Sequence, residues 1–573
     1  MSGVKDIRVV VSIDFGTTFS GIALAHVEAK HNIEVFNNWP NGELMRPNQM
    51  KVPTILLYNR DLEVVGWGNT AVAAGGLYGG ASQRSSNSHF LAEQFKLYFS
   101  TQEHLPKPLL PEKLEFRKAI TDYLIKLREI IQDRVNKKWR GVAFPNQVRL
   151  VMTLPVDWPQ TSLTDMRNCA LKAGLISERH ADNLEFLTEP EAAALYCLKN
   201  CAEYELNPGD AFMIVDCGGG TIDLTTRYLM QDGGLGEETE STGEACGGSF
   251  VDREFLNFIG DKLGISKEKM DELRRDHYTQ FQRMLEGFVF SVKSRFNGNE
   301  QDFGYTSILY LQSECKVLVE NAHKDKKPEM EKLRWAIPFK FEDVKKMFDT
   351  VVDKILRLIN DQLVNAGRKI EAIFMVGGFS ESEYLRQRVN EKFKTKVRIV
   401  ATPMNPISAV VKGALHYGLE FEDDPNKDNF GLNKTIKTRR LKRTYGTNVI
   451  DSIVSFLTGG SEAFSLIAKR GDEIAADQAF KRTYVAVSRK QTDMSMNLYC
   501  TRRFDVKFIN EEDVSLLKKW SITLPPLQQD ESIPPVELSL MFGKLEVTAT
   551  AYNKKTGQKY QIDCGLPDAD RCK

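Results

Sequence analysis

Two stretches of this sequence share a chemically suggestive pattern. Ile13-Asp14-Phe15-Gly16-Thr17-Thr18 and Val215-Asp216-Cys217-Gly218-Gly219-Gly220-Thr221 each run an apolar strand into an acid, a glycine turn and threonine, then resume a strand. Glycines let backbone N–H groups approach phosphate oxygens closely, and threonine hydroxyls add donors. A carboxylate at the strand end does not attract phosphate. It makes sense if a hydrated Mg²⁺ lies between, because Mg²⁺ keeps waters while binding carboxylates and phosphates. Asp223, two residues beyond Thr221, supplies a third carboxylate. The two turns together could clamp a polyphosphate from both sides. A plain pair of β-hairpins is the alternative, since Asp-Gly is a common hairpin signal. The repetition and the triple glycine argue against it. A third glycine pair, Gly377-Gly378 in "FMVGGFSESEYL", ends a strand and opens a helix, where it could cradle a base or a phosphate.

The elements that must position these residues follow from periodicity. Residues 7–25 read as two strands around a turn, 52–68 as a further apolar, β-branched run, and the region from Pro111 as a helix with apolar residues at helical spacing. "QVRLVMTLPVDW" reads as a strand stopped by Pro155, and residues 164–175 as a helix ended at Gly174. "TEPEAAALYCLKN" reads as a helix capped by Thr188, with Pro190 in its first turn. Residues 267–296 are mainly helical, and 369–393 are strand, turn and helix. Alternating strands and helices over residues 1–420 predict an α/β unit, and the repeat of the glycine turn about two hundred residues apart predicts two similar lobes facing a cleft. Residues 421–445 are charged and weakly periodic and read as a linker. Residues 446–573 read as an all-β domain.

Composition narrows the partners. With 77 Lys+Arg against 77 Asp+Glu the formal net charge is zero, so nothing global points to nucleic acid or an anionic membrane. No signal peptide or membrane-spanning stretch is legible, and the nine scattered cysteines read as reduced, mostly buried thiols. The expected location is cytoplasmic, with a nuclear option raised by the basic run Lys434, Lys437, Arg439, Arg440, Lys442, Arg443. A solvated linker is the plainer reading of that run.

Taken as a set, these segments resemble the actin-like ATPase superfamily and, within it, the seventy-kilodalton heat-shock chaperone family. "IDFGTTFSGIA" is similar to the family's first phosphate loop, "LTEPEAAALYCL" to its connecting helix and "IVDCGGGTIDLTT" to its second phosphate loop. "EACGGSFVDREF" and "ATPMNPISAVVKGAL" are similar to two later motifs, and "FSLIAKRGDEIAADQAF" to the first strands of its substrate domain. The resemblance implies a two-lobed nucleotide-binding domain with ribonuclease H-like lobes, then a β-sandwich. The chain reads as a lidless branch, because no helical lid is legible before Lys573.

The resemblance also implies roles. Asp14 and Asp216, with Asp223, would hold Mg²⁺ through water. Gly16, Thr17, Thr18, Gly218, Gly219, Gly220 and Thr221 would bind the phosphates of ATP or ADP. Gly247, Gly248, Gly377 and Gly378 would line the nucleotide, and Lys293 would stack on adenine. Lys96 and Glu189 would orient the attacking water, with Asp216 and Asp223 beside them. Ser249, Glu381 and Ile407 stand where the family carries other residues, which implies altered adenosine contacts. The expected function is an Mg-ATP-binding, slowly hydrolysing chaperone-like protein that binds polypeptide clients, with co-chaperones as further partners. The alternatives are a nucleotide-binding scaffold holding a fixed protein partner, and a small-molecule kinase with Asp157 as base.

Overall fold

The computed structural model describes residues 6–40, 49–77, 89–100, 108, 110, 111, 113–156, 158–178, 181–199, 201–303, 308–420, 435–449, 462–476, 478–486, 488, 490–524, 533–542, 545, 547–560 and 562–565. Contacts divide the chain into two units. One comprises residues 1–226 and 241–425, the other 227–240 and 426–573.

The first unit contains two sheets of repeated design. In one, the strand Val9–Asp14 pairs antiparallel with Phe19–His26 on one side and parallel with Val148–Leu154 on the other. Val148–Leu154 is in turn parallel to Leu184–Thr188. In the second sheet, Ala211–Cys217 neighbours Ile222–Leu229 and lies parallel to Ile370–Val376, which is parallel to Ile399–Ala401. All residues of Val9–Asp14, Val148–Leu154 and Ala211–Cys217 are buried. That explains their near-continuous apolar sequences, since the strands of covered parallel sheets face apolar neighbours on both sides.

Helices cover the first sheet. Ala409–Leu419 packs on Glu189–Leu198 and on the strand Val9–Asp14. Ser12 Oγ donates to the Val411 carbonyl at 2.7 Å, tying sheet to helix. The helix Glu189–Leu198 begins as its sequence dictates. Thr188 accepts from the Glu191 N–H, and the Glu191 carboxylate accepts from the Thr188 N–H, so two orphan donors are satisfied reciprocally. Another helix, Gln160–Lys172, starts four residues earlier than its apolar pattern suggests, directly after Pro159.

The second unit is built of strands. A five-stranded and a four-stranded antiparallel sheet both contribute to one core around Trp520, Leu498, Ile522, Val536, Leu538 and Leu540, and Thr438–Arg440 forms a separate antiparallel pair with Glu473–Ala475. Two features differ from the sequence reading. The first is that the charged stretch expected to be a linker carries strand Thr438–Arg440 and the start of strand Thr444–Val449. The second is that residues 227–240 belong to this unit.

Charge pairing accounts for both. Leu235 exchanges backbone bonds with Thr435 and Lys437 (2.7 and 2.9 Å). The Arg440 N–H donates to Glu237 Oε2 at 2.6 Å, and its guanidinium donates to the carbonyls of Glu238 and Gly471. Arg227 donates to the Thr438 carbonyl, and Arg470 pairs with Glu240 at 3.1 Å. Arg439 is buried, so this part of the basic run is not a solvated linker; Lys434 lies outside the described residues.

Candidate functional site

The first turn leaves strand Val9–Asp14 at Asp14. It is braced by Thr54, whose hydroxyl donates to the Gly16 carbonyl and whose N–H donates to the Thr18 carbonyl, both at 2.9 Å. Ser20 Oγ lies 2.9 Å from Thr54 Oγ1. The second turn is closed by the Gly218 N–H donating to the Thr221 carbonyl at 3.0 Å.

The two turns meet. A Cβ added at Gly219 would stand 2.2 Å from Thr18 Oγ1, and one at Gly220 would stand 2.6 Å from Thr17 Oγ1. Any larger residue would force the turns apart, so the glycines permit the approach. Gly377, at φ 83°, lies so close to Asp216 that a Cβ there would come within 2.4 Å of its Oδ1. Gly378 opens the short 3₁₀ segment Gly378–Glu381.

Buried acids and two lysines gather beside these turns. Asp14, Glu189, Asp216 and Asp223 are each less than one-tenth exposed. Thr153 donates to Asp14 Oδ1 at 3.3 Å, and the Val156 N–H donates to Asp223 Oδ1 at 2.9 Å. Lys96, 2% exposed, holds Glu189 Oε1 at 2.5 Å. Its ammonium sits 5.7 Å from the Phe15 ring centre and 5.5 Å from that of Trp158. A surface helix lysine would have no such neighbours.

Electrostatics follow from this crowding. Burial pushes the Asp216 carboxyl well above its usual range, and Glu189 and Asp223 add to the effect. Burial also raises Glu189, with Asp14 adding and Lys96 opposing. Lys51 was not singled out by the sequence. Burial disfavours its ammonium, but the field of Asp14, Asp216 and Glu189 outweighs this and lifts its pKa. Its Nζ lies 2.6 Å from Asp14 Oδ2.

Other expected residues take bracing positions. The N–H groups of Gly247, Gly248 and Ser249 donate to the carbonyls of Gly220, Gly218 and Gly219 (3.1, 3.0 and 2.8 Å). They stiffen the second turn instead of pointing outward. Lys293, expected to stack on adenine, is drawn to Asp252 Oδ1 at 2.6 Å and the Gly248 carbonyl at 2.7 Å. Its ammonium lies 6.0 Å from the ring centre of Phe379, which also packs on Gly248. Burial raises the Glu381 carboxyl. Asp157 lies outside the described residues.

The close-packed glycine turns fit a phosphate chain. Among the described residues no group of three or more His, Cys, Asp or Glu side chains could hold a metal ion. Cys169, Cys197, Cys217, Cys246, Cys315 and Cys500 are buried free thiols. No helix among the described residues is long and apolar enough to cross a membrane.

The architecture is mixed α/β, with two sheets of similar strand order whose central strands each run into a glycine turn. No family model matches the sequence. Heat shock 70 kDa protein 12A of Mus musculus is 25% identical over 638 residues, covering 97% of this chain and 91% of that protein. Heat shock 70 kDa protein 12B of Homo sapiens is 23% identical, covering 96% and 90%. Chaperone protein HscA of Buchnera aphidicola is 25% identical over 481 residues, covering 78% and 77%. Over most of its length, and at about a quarter identity, the chain is thus similar to heat-shock 70 kDa proteins, and these matches support a divergent relative of that family.

Proposed function

We propose that this protein is a nucleotide-dependent, chaperone-like ATPase. Residues 1–420 would form a two-lobed, actin-like unit that binds ATP or ADP between the opposed turns. The C-terminal strands would form a sandwich that binds polypeptide. The observation that carries the reading is the buried Lys96–Glu189 pair, 2.5 Å apart, in one cluster with Asp14 and Asp216 beside two phosphate-type turns.

The roles follow from placement. Gly16, Thr17 and Thr18 on one side, and Gly218, Gly219, Gly220 and Thr221 on the other, present backbone N–H groups and hydroxyls to the phosphates. Glu189 accepts a proton-bearing hydrogen bond from water, and Lys96 fixes the orientation of that carboxylate. Asp14, Asp216 and Asp223 would hold Mg²⁺ through water, and the ion would supply charge neutralisation for the phosphates. Hydrolysis then depends on positioning and charge rather than on a covalent step. Gly377 keeps the Asp216 carboxylate at its place by leaving no Cβ against it.

The test mixes excess purified protein with trace labelled ATP and Mg²⁺ and follows retention and conversion to ADP together. Retention with conversion that Lys96→Ala slows is the expected result. Retention without conversion would support a nucleotide-binding scaffold, and no retention would remove the nucleotide reading.

A further inference from the structure

We infer that Lys51 is a built-in cation of the phosphate site, one that takes over part of the charge neutralisation usually left to a divalent ion. This rests on the nucleotide reading of the site. Lys51 and Lys96 bring two ammonium groups to the buried carboxylates Asp14, Glu189 and Asp216. Lys96 is committed to Glu189. Lys51 is committed to Asp14 at 2.6 Å and interacts electrostatically with Asp216 and Glu189. It therefore stands among the carboxylates that a hydrated Mg²⁺ would use.

The placement is built by the fold. Lys51 directly precedes the strand Val52–Pro53, which pairs with Phe19 and Ser20 at the exit of the first turn. Its aliphatic stem crosses Gly21, where a Cβ would lie 3.3 Å from Lys51 Cγ. Gly21 is the direct cross-strand partner of Asp14. The ammonium is thus registered to the acid by backbone pairing on both sides, and 17% of its side chain remains exposed. An ammonium carries three donors and no acceptor, so it can hold Asp14 and a phosphate oxygen at once. A polyphosphate entering this site meets a fixed positive charge whether or not a divalent ion accompanies it.

The test measures equilibrium binding of ATP and of ADP, with Mg²⁺ and with excess EDTA, for the wild-type chain, Lys51→Met and Lys51→Arg. Thermal unfolding checks each variant. In the wild type, removing Mg²⁺ is expected to weaken ATP binding by less than about threefold. In Lys51→Met the same change is expected to weaken it by more than about tenfold, with Lys51→Arg behaving like the wild type. Wild-type binding that collapses in EDTA would overturn the inference while leaving the nucleotide reading intact. So would Lys51→Met and wild type matching under both conditions. The wild-type comparison decides the matter even if Lys51→Met does not fold. Absence of any nucleotide binding in either condition would overturn both readings.

Discussion

The ammonium of Lys96 and the carboxylate of Glu189 lie 2.5 Å apart with 2% and 9% of their side chains exposed. They come from a 3₁₀ segment, Phe95–Phe99, and the first turn of a helix far along the chain. Breaking one half of such a buried pair leaves an uncompensated charge and costs about 3–5 kcal/mol. Lys96→Met is therefore expected to lower unfolding free energy by about that amount and to slow ATP conversion about a hundredfold or more. Lys96→Met combined with Glu189→Gln should recover most of the stability and none of the turnover. Urea unfolding and single-turnover conversion read the two effects separately. Equal loss of stability in both variants would show that charge is not what the pair balances.

The meeting of the two turns gives a steric prediction. A methyl at Gly219 would stand 2.2 Å from Thr18 Oγ1, well inside any real contact. Gly219→Ala should weaken nucleotide binding by at least about tenfold, because the turns must separate. Adding Thr18→Ala removes the hydroxyl and restores part of the affinity. Equilibrium titration with a fluorescent ADP checks both. Unchanged affinity in Gly219→Ala would mean that the turns do not grip the ligand together.

His416 sets a pH dependence of stability. Lys199 Nζ donates to His416 Nδ1 at 2.8 Å, so the imidazole there is an acceptor and neutral. Burial, together with Lys199 and Lys412, pushes its pKa down to about 4. The unfolded chain takes up this proton near pH 6.5, the folded chain only near 4. Stability from this group is complete above the unfolded value and drains away as pH falls between the two, by about 2 kcal/mol at pH 5. His416→Gln should flatten that part of the profile. Chemical unfolding at pH 7.5 and pH 5 measures it, and an unchanged acid slope in the variant would rule the group out.

In the strand-rich unit, Glu237 Oε2 accepts from the Arg440 N–H at 2.6 Å and its other oxygen lies 3.5 Å from Arg227. Arg227 and Glu237 are both nearly fully buried. Glu237→Ala should destabilise this unit by about 3 kcal/mol or more and speed proteolysis at Thr435–Arg440. Glu237→Gln should cost less, since it keeps an acceptor. Cleavage at the same rate as wild type would show the strand is held by other contacts.

Much of the site was legible because it is local in sequence. The Asp-Gly-Thr turns, the Thr188–Glu191 capping box and the glycine pair at 377–378 each announce themselves within a few residues. Lys96 was legible only through resemblance, since nothing in "EQFKLYFS" shows that the lysine turns inward. Lys51 was not legible at all. It lies in a polar stretch, and only strand pairing with Phe19 and Ser20 brings it to Asp14. The strand Thr438–Arg440 was read as linker for a related reason. Its basic residues show no alternation, and their acidic partners stand at residues 232–240 and 473, beyond any local window.

The unit that contains the C-terminal strands also claims Arg227–Glu240, a hairpin tip encoded in the middle of the α/β sequence. Inheritance of this architecture is therefore not cassette-like. A gene fragment beginning at Asn426 would encode Thr438 and Arg440 but neither Arg227 nor Glu237, and a transplanted C-terminal half would arrive without its own acidic counterpart. Recombination at the obvious boundary would split one cooperative structure. The hairpin and the strand that answers it are one structural piece, even though the two lie far apart in the gene.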